Sequence, residues 1–206
     1  MTEMKKVSEM KPDEIKEEVR KAYSKVAEGT AEADIATACC DEPTPAGSSC
    51  CGPSAKAPEP KVLRVNIAEA LGYDIEGMPT GATESFAGCG NPTALASLKE
   101  GEIVLDLGSG AGLDAFVASK KVGETGKVIG VDMTPAMLEK ARKNAEELGI
   151  TNVDFRFGDI EDMPVEDNSV DVVISNCVIN LAPSKAKVFE EAYRAVSYTH
   201  LTLPTN

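Results

Sequence analysis

From residue 101 onward the chain alternates apolar runs of strand length with amphipathic stretches of helix length, and that order restricts the fold more than any other feature. "EIVLDL" (102–107) reads as a buried strand and "GLDAFVASKKV" (112–122) as a helix, followed by the strand "KVIGV" and the helix "PAMLEKARKNAEELG". "NVDFRF" and "SVDVVIS" read as two further strands and "KAKVFEEAYRA" (185–195) as a last helix. Strands separated by helices of this length build a parallel sheet covered on both faces. No internal repeat at a fixed period accompanies the alternation.

Upstream the pattern changes. Ile15, Val19, Ala22 and Val26 recur at helical spacing within 11–29, with Gly29 as the stop. Residues 30–60 are rich in Ala, Pro, Ser and Gly and read as a mobile segment carrying Cys39–Cys40 and Cys50–Cys51. Residues 61–99 suggest two short helices, around "VLRVNIAEALG" and "NPTALASLK", joined by a Gly-rich loop. The expected division is an N-terminal helix and Cys-rich segment (1–60), a helical lead-in (61–100), an α/β domain (101–195) and a tail (196–206).

Charge and cysteine content exclude several classes. The net charge of −13 repels phosphate backbones, which argues against a nucleic-acid substrate. No run approaches the roughly 18 apolar residues of a membrane span. The charged N-terminus "MTEMKKVSEMKPDEIKEE" does not read as a secretory signal. A cytoplasmic location follows as an expectation, with the 6 cysteines as reduced thiols. The single histidine, His200, leaves little for a histidine base or a Cys/His zinc site.

"VLDLGSGAGLD" (104–114) lies where the first strand turns into the first helix. Gly108, Gly110 and Gly112 allow a tight bend and a close backbone approach to a ligand. The third glycine comes one residue earlier than in the dinucleotide fingerprint G-x-G-x-x-G, with Leu113 in its place, which disfavours a nicotinamide dehydrogenase. Asp106 precedes the loop, placed to order it or to meet a cationic ligand. Asp132 ends the second strand, at the distance where an acid accepts from ribose hydroxyls. Asp159 and Ile160 in "FGDIEDMP" fall at the rim of the same crevice. Together these features point to a nucleoside cofactor.

The motif D-L-G-S-G-A-G with these followers resembles the cofactor site of class I methyltransferases, over residues 103–196. The resemblance implies a Rossmann-like fold and S-adenosylmethionine as cofactor, with Asp106 and the glycines at the methionine part, Asp132 at the ribose, and Asp159 with Ile160 by the adenine. It also implies Ser109, Met133 and Asn176 as cofactor-binding residues.

Cysteines supply the second signal. Cys177 in "ISNCVINLAP" ends an apolar run, where a free cysteine is ordinarily core. Its place at the carboxyl end of the fourth strand, where open α/β sheets bind ligands, raises it above that reading. Cys89 in "FAGCGNP" sits between two glycines, an exposed context that does not suggest packing. The adjacent pairs fit zinc poorly, since structural zinc sites usually separate paired ligands by two residues. They suit a soft, thiophilic acceptor better.

"GCGNPTALASLKEGEIVLDLGSGAGLDAFVASKKVG", "GVDMTPAML" and "ISNCVINLAP" together resemble the arsenite S-adenosylmethionine methyltransferases, over residues 11–195. What the resemblance implies is methyl transfer to thiol-bound trivalent arsenic. Cys89 and Cys177 would be arsenic ligands, Cys50 or Cys51 the N-terminal reactive thiol, and a third arsenic ligand would lie in a C-terminal part. Cys39 and Cys40 receive no role. Arsenic keeps a lone pair that takes the methyl group directly, so no base is needed. Cysteine pairs would reverse its two-electron oxidation and be restored by thioredoxin or glutathione, in a monomeric enzyme. The alternatives are a class I methyltransferase acting on carbon or oxygen of another small molecule, and a thiol-based metalloid-binding protein without catalysis.

The end of the chain departs from the family pattern, which continues with a fifth strand and a further cysteine. "VSYTHLTLPT" resembles the translation of a transposase adapter used in sequencing libraries. The expectation is that 196–206 are a non-native tail, Ala195 a junction codon and His200 functionless. The fourth strand would then be an unprotected edge, and this chain poorly soluble and nearly inactive beside its complete parent.

Overall fold

The computed structural model describes residues 10–30 and 68–197. In chain order it contains α1 (Pro12–Ala27), α2 (Thr80–Glu84), α3 (Pro92–Leu95), β1 (Ile103–Leu107), α4 (Leu113–Val122), β2 (Lys127–Asp132), α5 (Pro135–Leu148), β3 (Val153–Phe157) and β4 (Val172–Ser175). A 3₁₀ turn over Val178–Leu181 and α6 (Lys185–Ala195) follow. The strands form one parallel 4-stranded sheet in the order β3-β2-β1-β4.

Central placement of β1 follows from its composition. "IVLDL" carries large apolar side chains toward both faces, so it is stable only where both faces are covered. Val104 joins Val128, Phe155 and Ile174 in a core completed by Leu113, Phe116, Ala118 and Val122 of α4 and by Leu138 and Ala141 of α5. Leu105 and Leu107 join Ile129 and Val131 in a second core, closed by Val188, Ala192 and Ala195 of α6. Fully burying side chains of this size contributes roughly 1.5–3 kcal/mol each. The expected sheet, covered on both faces, is the one observed.

Helix boundaries are set by local chemistry. Pro12 and Pro135 occupy first-turn positions of α1 and α5, where a missing N–H costs nothing. Gly149 ends α5 in the left-handed region, and the N–H of Ile150 reaches back to the Ala145 carbonyl at 3.0 Å. After α6 the chain pairs Val196 with Val170 in parallel, and Ser197 N–H donates to the Val170 carbonyl at 2.8 Å.

The lead-in differs from expectation. The Gly-rich stretch expected to be loop contains α2, whose Ala82 and Thr83 are buried. The helix expected over 91–99 is the single turn α3, which ends because Ala96 takes an extended conformation. Of the helix expected around 62–72, residues 68–70 are helical and those before lie outside the described residues. So do Cys39, Cys40, Cys50, Cys51 and residues 198–206.

Gly112, which starts α4 at φ 95°, is required by packing. A Cβ there would stand 2.6 Å from Phe116 Cζ and 2.9 Å from Phe155 Cζ. Gly112→Ala is expected to cost about 2–4 kcal/mol, combining left-handed strain with an overpacked contact. Gly149→Ala, where φ is 65° and a Cβ meets nothing, should cost only the strain of about 1–2 kcal/mol. Urea unfolding of both variants checks the difference.

Candidate active site

In a parallel sheet every strand ends on the same rim. Here the strand order reverses at β1, since β2 and β3 lie on one side and β4 on the other. The crevice at such a switch point is where open α/β sheets bind ligands. A cleft of about 940 Å³, open to solvent, lies there. It is bounded by the loop after β1 (Gly108–Ala111), Asp132 and Met133 after β2, Asp159 and Ile160 after β3, and Asn176 after β4.

The loop is held by backbone bonds. Gly108 and Ser109 N–H donate to the Val131 carbonyl at 2.8 and 3.1 Å. Gly110, at φ 53°, turns toward the cleft, and a Cβ there would meet no atom within 4 Å. Its N–H donates to Asp132 Oδ2 at 3.0 Å, while Asp132 Oδ1 accepts from Thr134 N–H at 2.7 Å. Asp132 therefore braces the loop that it faces.

Two expected cofactor residues do not line the cleft. Gly112 packs against the aromatic rings described above. Asp106 is 1% exposed beneath the loop, and its Oδ2 has no hydrogen-bond partner among the described residues. Burial, then the carboxylates of Asp114 and Asp132, hold its pKa well above the ordinary carboxylate range. Burial also raises the pKa values of Asp114 and Asp132, against the hydrogen bonds each accepts.

Other wall residues carried no signal in the local sequence pattern. Lys16, Val19 and Tyr23 place α1 along the cleft. Lys16 Nζ reaches Asp159 Oδ2 at 2.5 Å and Glu161 Oε2 at 2.6 Å, and Arg20 Nε donates to the Met133 carbonyl at 3.3 Å. The apolar spacing of α1 was legible, but not the surface it covers. Asp114, Ser85 and Phe86 also line the cleft.

The structure brings the backbone of Cys89 onto the thiol of Cys177. Cys177 adopts φ 63°, a left-handed conformation that is strained for a side-chain-bearing residue. Its Sγ accepts from the backbone N–H of Cys89 at 3.1 Å, across 88 positions of sequence. Cys89 is exposed and Cys177 half-buried, so neither is a core residue. Their chain neighbours Gly88, Asn176 and Val178 line the cleft. Among the described residues, no group of three or more cysteine, histidine or acidic side chains is arranged to hold a metal ion.

Comparison with known proteins agrees with this geometry. Residues 98–199 match a family described as a methyltransferase domain. An S-adenosylmethionine-dependent methyltransferase from Aquifex aeolicus superposes with TM-score 0.53 at 29% identity, covering 66% of this chain and 65% of that one. The α/β unit has the class I methyltransferase fold. An arsenite methyltransferase from Halobacterium salinarum is 44% identical over 195 residues, covering 92% of this chain and 46% of the relative. The crystal structure of an arsenic(III) S-adenosylmethionine methyltransferase from Chlamydomonas reinhardtii superposes with TM-score 0.54 at 45% identity, covering 69% of this chain and 46% of that one. The chain thus spans about half the length of these arsenite methyltransferases.

The cleft fits a cationic, ribose-bearing cofactor. Asp114, Asp132 and Asp159 put carboxylates on its wall. Ser85 and Ser109, both lining it, have buried hydroxyls without a partner among the described residues. The open face of Gly110 admits a ligand to the loop backbone.

Two expectations follow. Asp132→Ala should weaken S-adenosylmethionine binding by about 1–3 kcal/mol by calorimetry, and substituting Gly110 with leucine by more. For Asp106, the raised folded pKa means that its proton stabilises the fold fully below about pH 4, an effect lost as pH rises through the folded value. Without cofactor, Asp106→Asn should therefore match the parent near pH 4 and exceed its melting temperature increasingly toward pH 8.

Proposed function

We propose that this chain carries the cofactor site and two of the arsenic-binding thiols of an enzyme that methylates arsenite. The observation that carries the reading is the Cys89–Cys177 contact against the wall of the cleft. Trivalent arsenic is soft and thiophilic, and two cysteines that meet at one loop match it where a hard metal would want oxygen. In this reading the glycine loop, Asp132, Asp159 and Ile160 hold S-adenosylmethionine, which supplies an electrophilic methyl group on a sulfonium sulfur.

The chain's own residues then have limited tasks. Cys89 and Cys177 capture arsenic as thiolates and hold it at the cleft, so that proximity lowers the barrier. Arsenic bound this way retains a lone pair and loses no proton on taking up the methyl group. A general base is unnecessary, which suits a chain with 1 histidine. Asp114 and Asp132 line the cleft where the cation would lie, and Lys16 holds Asp159 at the rim.

Uptake of the methyl group raises arsenic by two oxidation levels. A cysteine pair closing to a disulfide returns two electrons, and a thioredoxin-type or glutathione reductant reopens it. Cys50 or Cys51 is proposed for that pair, and both lie outside the described residues. The 6 cysteines suit a reducing compartment such as the cytoplasm, with the protein acting as a monomer. No helix among the described residues is long and apolar enough to cross a membrane.

The test is to incubate the chain with arsenite, S-adenosylmethionine and a thioredoxin system and to follow arsenic species by chromatography with elemental detection. Only a trace of methylated arsenic is expected, in line with the near-inactivity expected of this chain, whereas unmodified arsenite with methylation of an organic acceptor would displace the reading. Cys177→Ser should lower arsenite affinity about tenfold or more while S-adenosylmethionine still binds, because serine keeps the size but not the soft ligand. Unchanged arsenite binding would return Cys177 to a packing role.

A further inference from the structure

The Gly88–Gly90 loop that carries Cys89 is held across the cleft by Asn176, with the Tyr73 hydroxyl also 3.0 Å from the Gly90 carbonyl. Asn176 Oδ1 accepts from Cys89 N–H at 3.1 Å and from Gly90 N–H at 3.3 Å. Asn176 Nδ2 donates to the Gly90 carbonyl at 2.8 Å. An amide supplies acceptor and donor side by side, and so satisfies backbone N–H and C=O groups of the same short loop. Gly88 allows the contact, since a Cβ there would lie 2.3 Å from Asn176 Nδ2.

Asn176 is itself fixed from behind. Its Nδ2 lies 3.1 Å from Asp114 Oδ2 and 3.2 Å from the Tyr73 hydroxyl. The Tyr73 hydroxyl donates to Asp114 Oδ1. Tyr73 is buried edge-on against Phe86, with ring centroids 5.1 Å apart. Burial, then Asp114, raises its pKa, so it remains a hydrogen donor throughout the neutral range. Three segments distant in sequence thus meet at one amide, and the next residue is Cys177.

We propose that Asn176, oriented by Tyr73 and Asp114, is the positioning residue that sets Cys89 against Cys177. The proposal rests on reading the two thiols as a pair that acts together. Hydrogen bonds to a buried charged group strengthen in a low-dielectric site, and a network of this kind fixes one arrangement when every member is satisfied. Asn176 and Asp114 also line the cleft, so the latch occupies the boundary between thiols and cofactor site.

The experiment measures thiol geometry without arsenic or methyl donor. Dibromobimane bridges two thiols only when they are close, and tryptic mapping by mass spectrometry identifies a Cys89–Cys177 bridge separately from bridges at the other cysteines. The readout is the bridged fraction relative to single alkylation at the same sites. Asn176→Asp keeps the size and the acceptor but loses the donor and faces Asp114, so a packing role would survive it and a positioning role would not. It should lower bridging about tenfold, and Tyr73→Phe, which leaves the cleft wall intact, about threefold. Bridging at the parental level in Tyr73→Phe and in a folded Asn176→Asp overturns the proposal. If Asn176→Asp does not fold, Asn176→Ser, which also removes the paired acceptor and donor while keeping the direct Tyr73–Gly90 bond, decides in its place. Reduced bridging in variants of a parent chain that fails to bind arsenite would leave the latch standing and remove the arsenic reading instead.

Discussion

All four strands run in one direction, and the site depends on that constraint. Parallel strands end on a common rim, and β1, bonded to both β2 and β4, sets where the rim divides. The glycine loop leaves β1 over the end of β2, Asp132 ends β2, Asp159 follows β3, and Asn176 and Cys177 follow β4. An antiparallel arrangement would send half of these groups to the opposite edge. The burial of "IVLDL" on both faces is therefore the energetic foundation of the cleft.

Electrostatics shapes what the cleft can receive. Burial raises the cost of ionising Asp106, Asp114 and Asp132, and the carboxylates of Asp114 and Asp132 add to it at Asp106. Desolvation outweighs the backbone N–H bonds that Asp132 accepts, so the cluster is costly as built and would be relieved by a cation. Lys16 supplies positive charge at the outer rim, held between Asp159 and Glu161. The inner wall keeps its carboxylates for a ligand. A cationic sulfonium and an uncharged ribose suit that division better than a polyanion.

Much of this was legible in the chain. Strand–helix alternation is a backbone period, and the motif "VLDLGSGAGLD" needs its glycines wherever it folds, so both survive without tertiary information. Cys89 and Cys177 could be singled out from their local contexts, one between two glycines and the other at the end of an apolar run. Their contact could not, because it depends on Asn176 reaching a loop 86 residues away in sequence. Tyr73 and Asp114 were illegible for the same reason, being ordinary residues until the amide joins them. Gly112 carried the wrong inference, since its missing Cβ makes room for Phe116 and Phe155 rather than for a ligand. The α2 turn was hidden by its glycine and threonines, which packing of Ala82 and Thr83 overrides.

The central claim is that Cys89 and Cys177 form one arsenic(III) site at the cofactor cleft. Arsenic-edge X-ray absorption tests it most directly, on the full chain with Cys39, Cys40, Cys50 and Cys51 replaced by serine. The account predicts bound trivalent arsenic with two sulfur neighbours. Arsenic surrounded only by oxygen, or none retained, would contradict it.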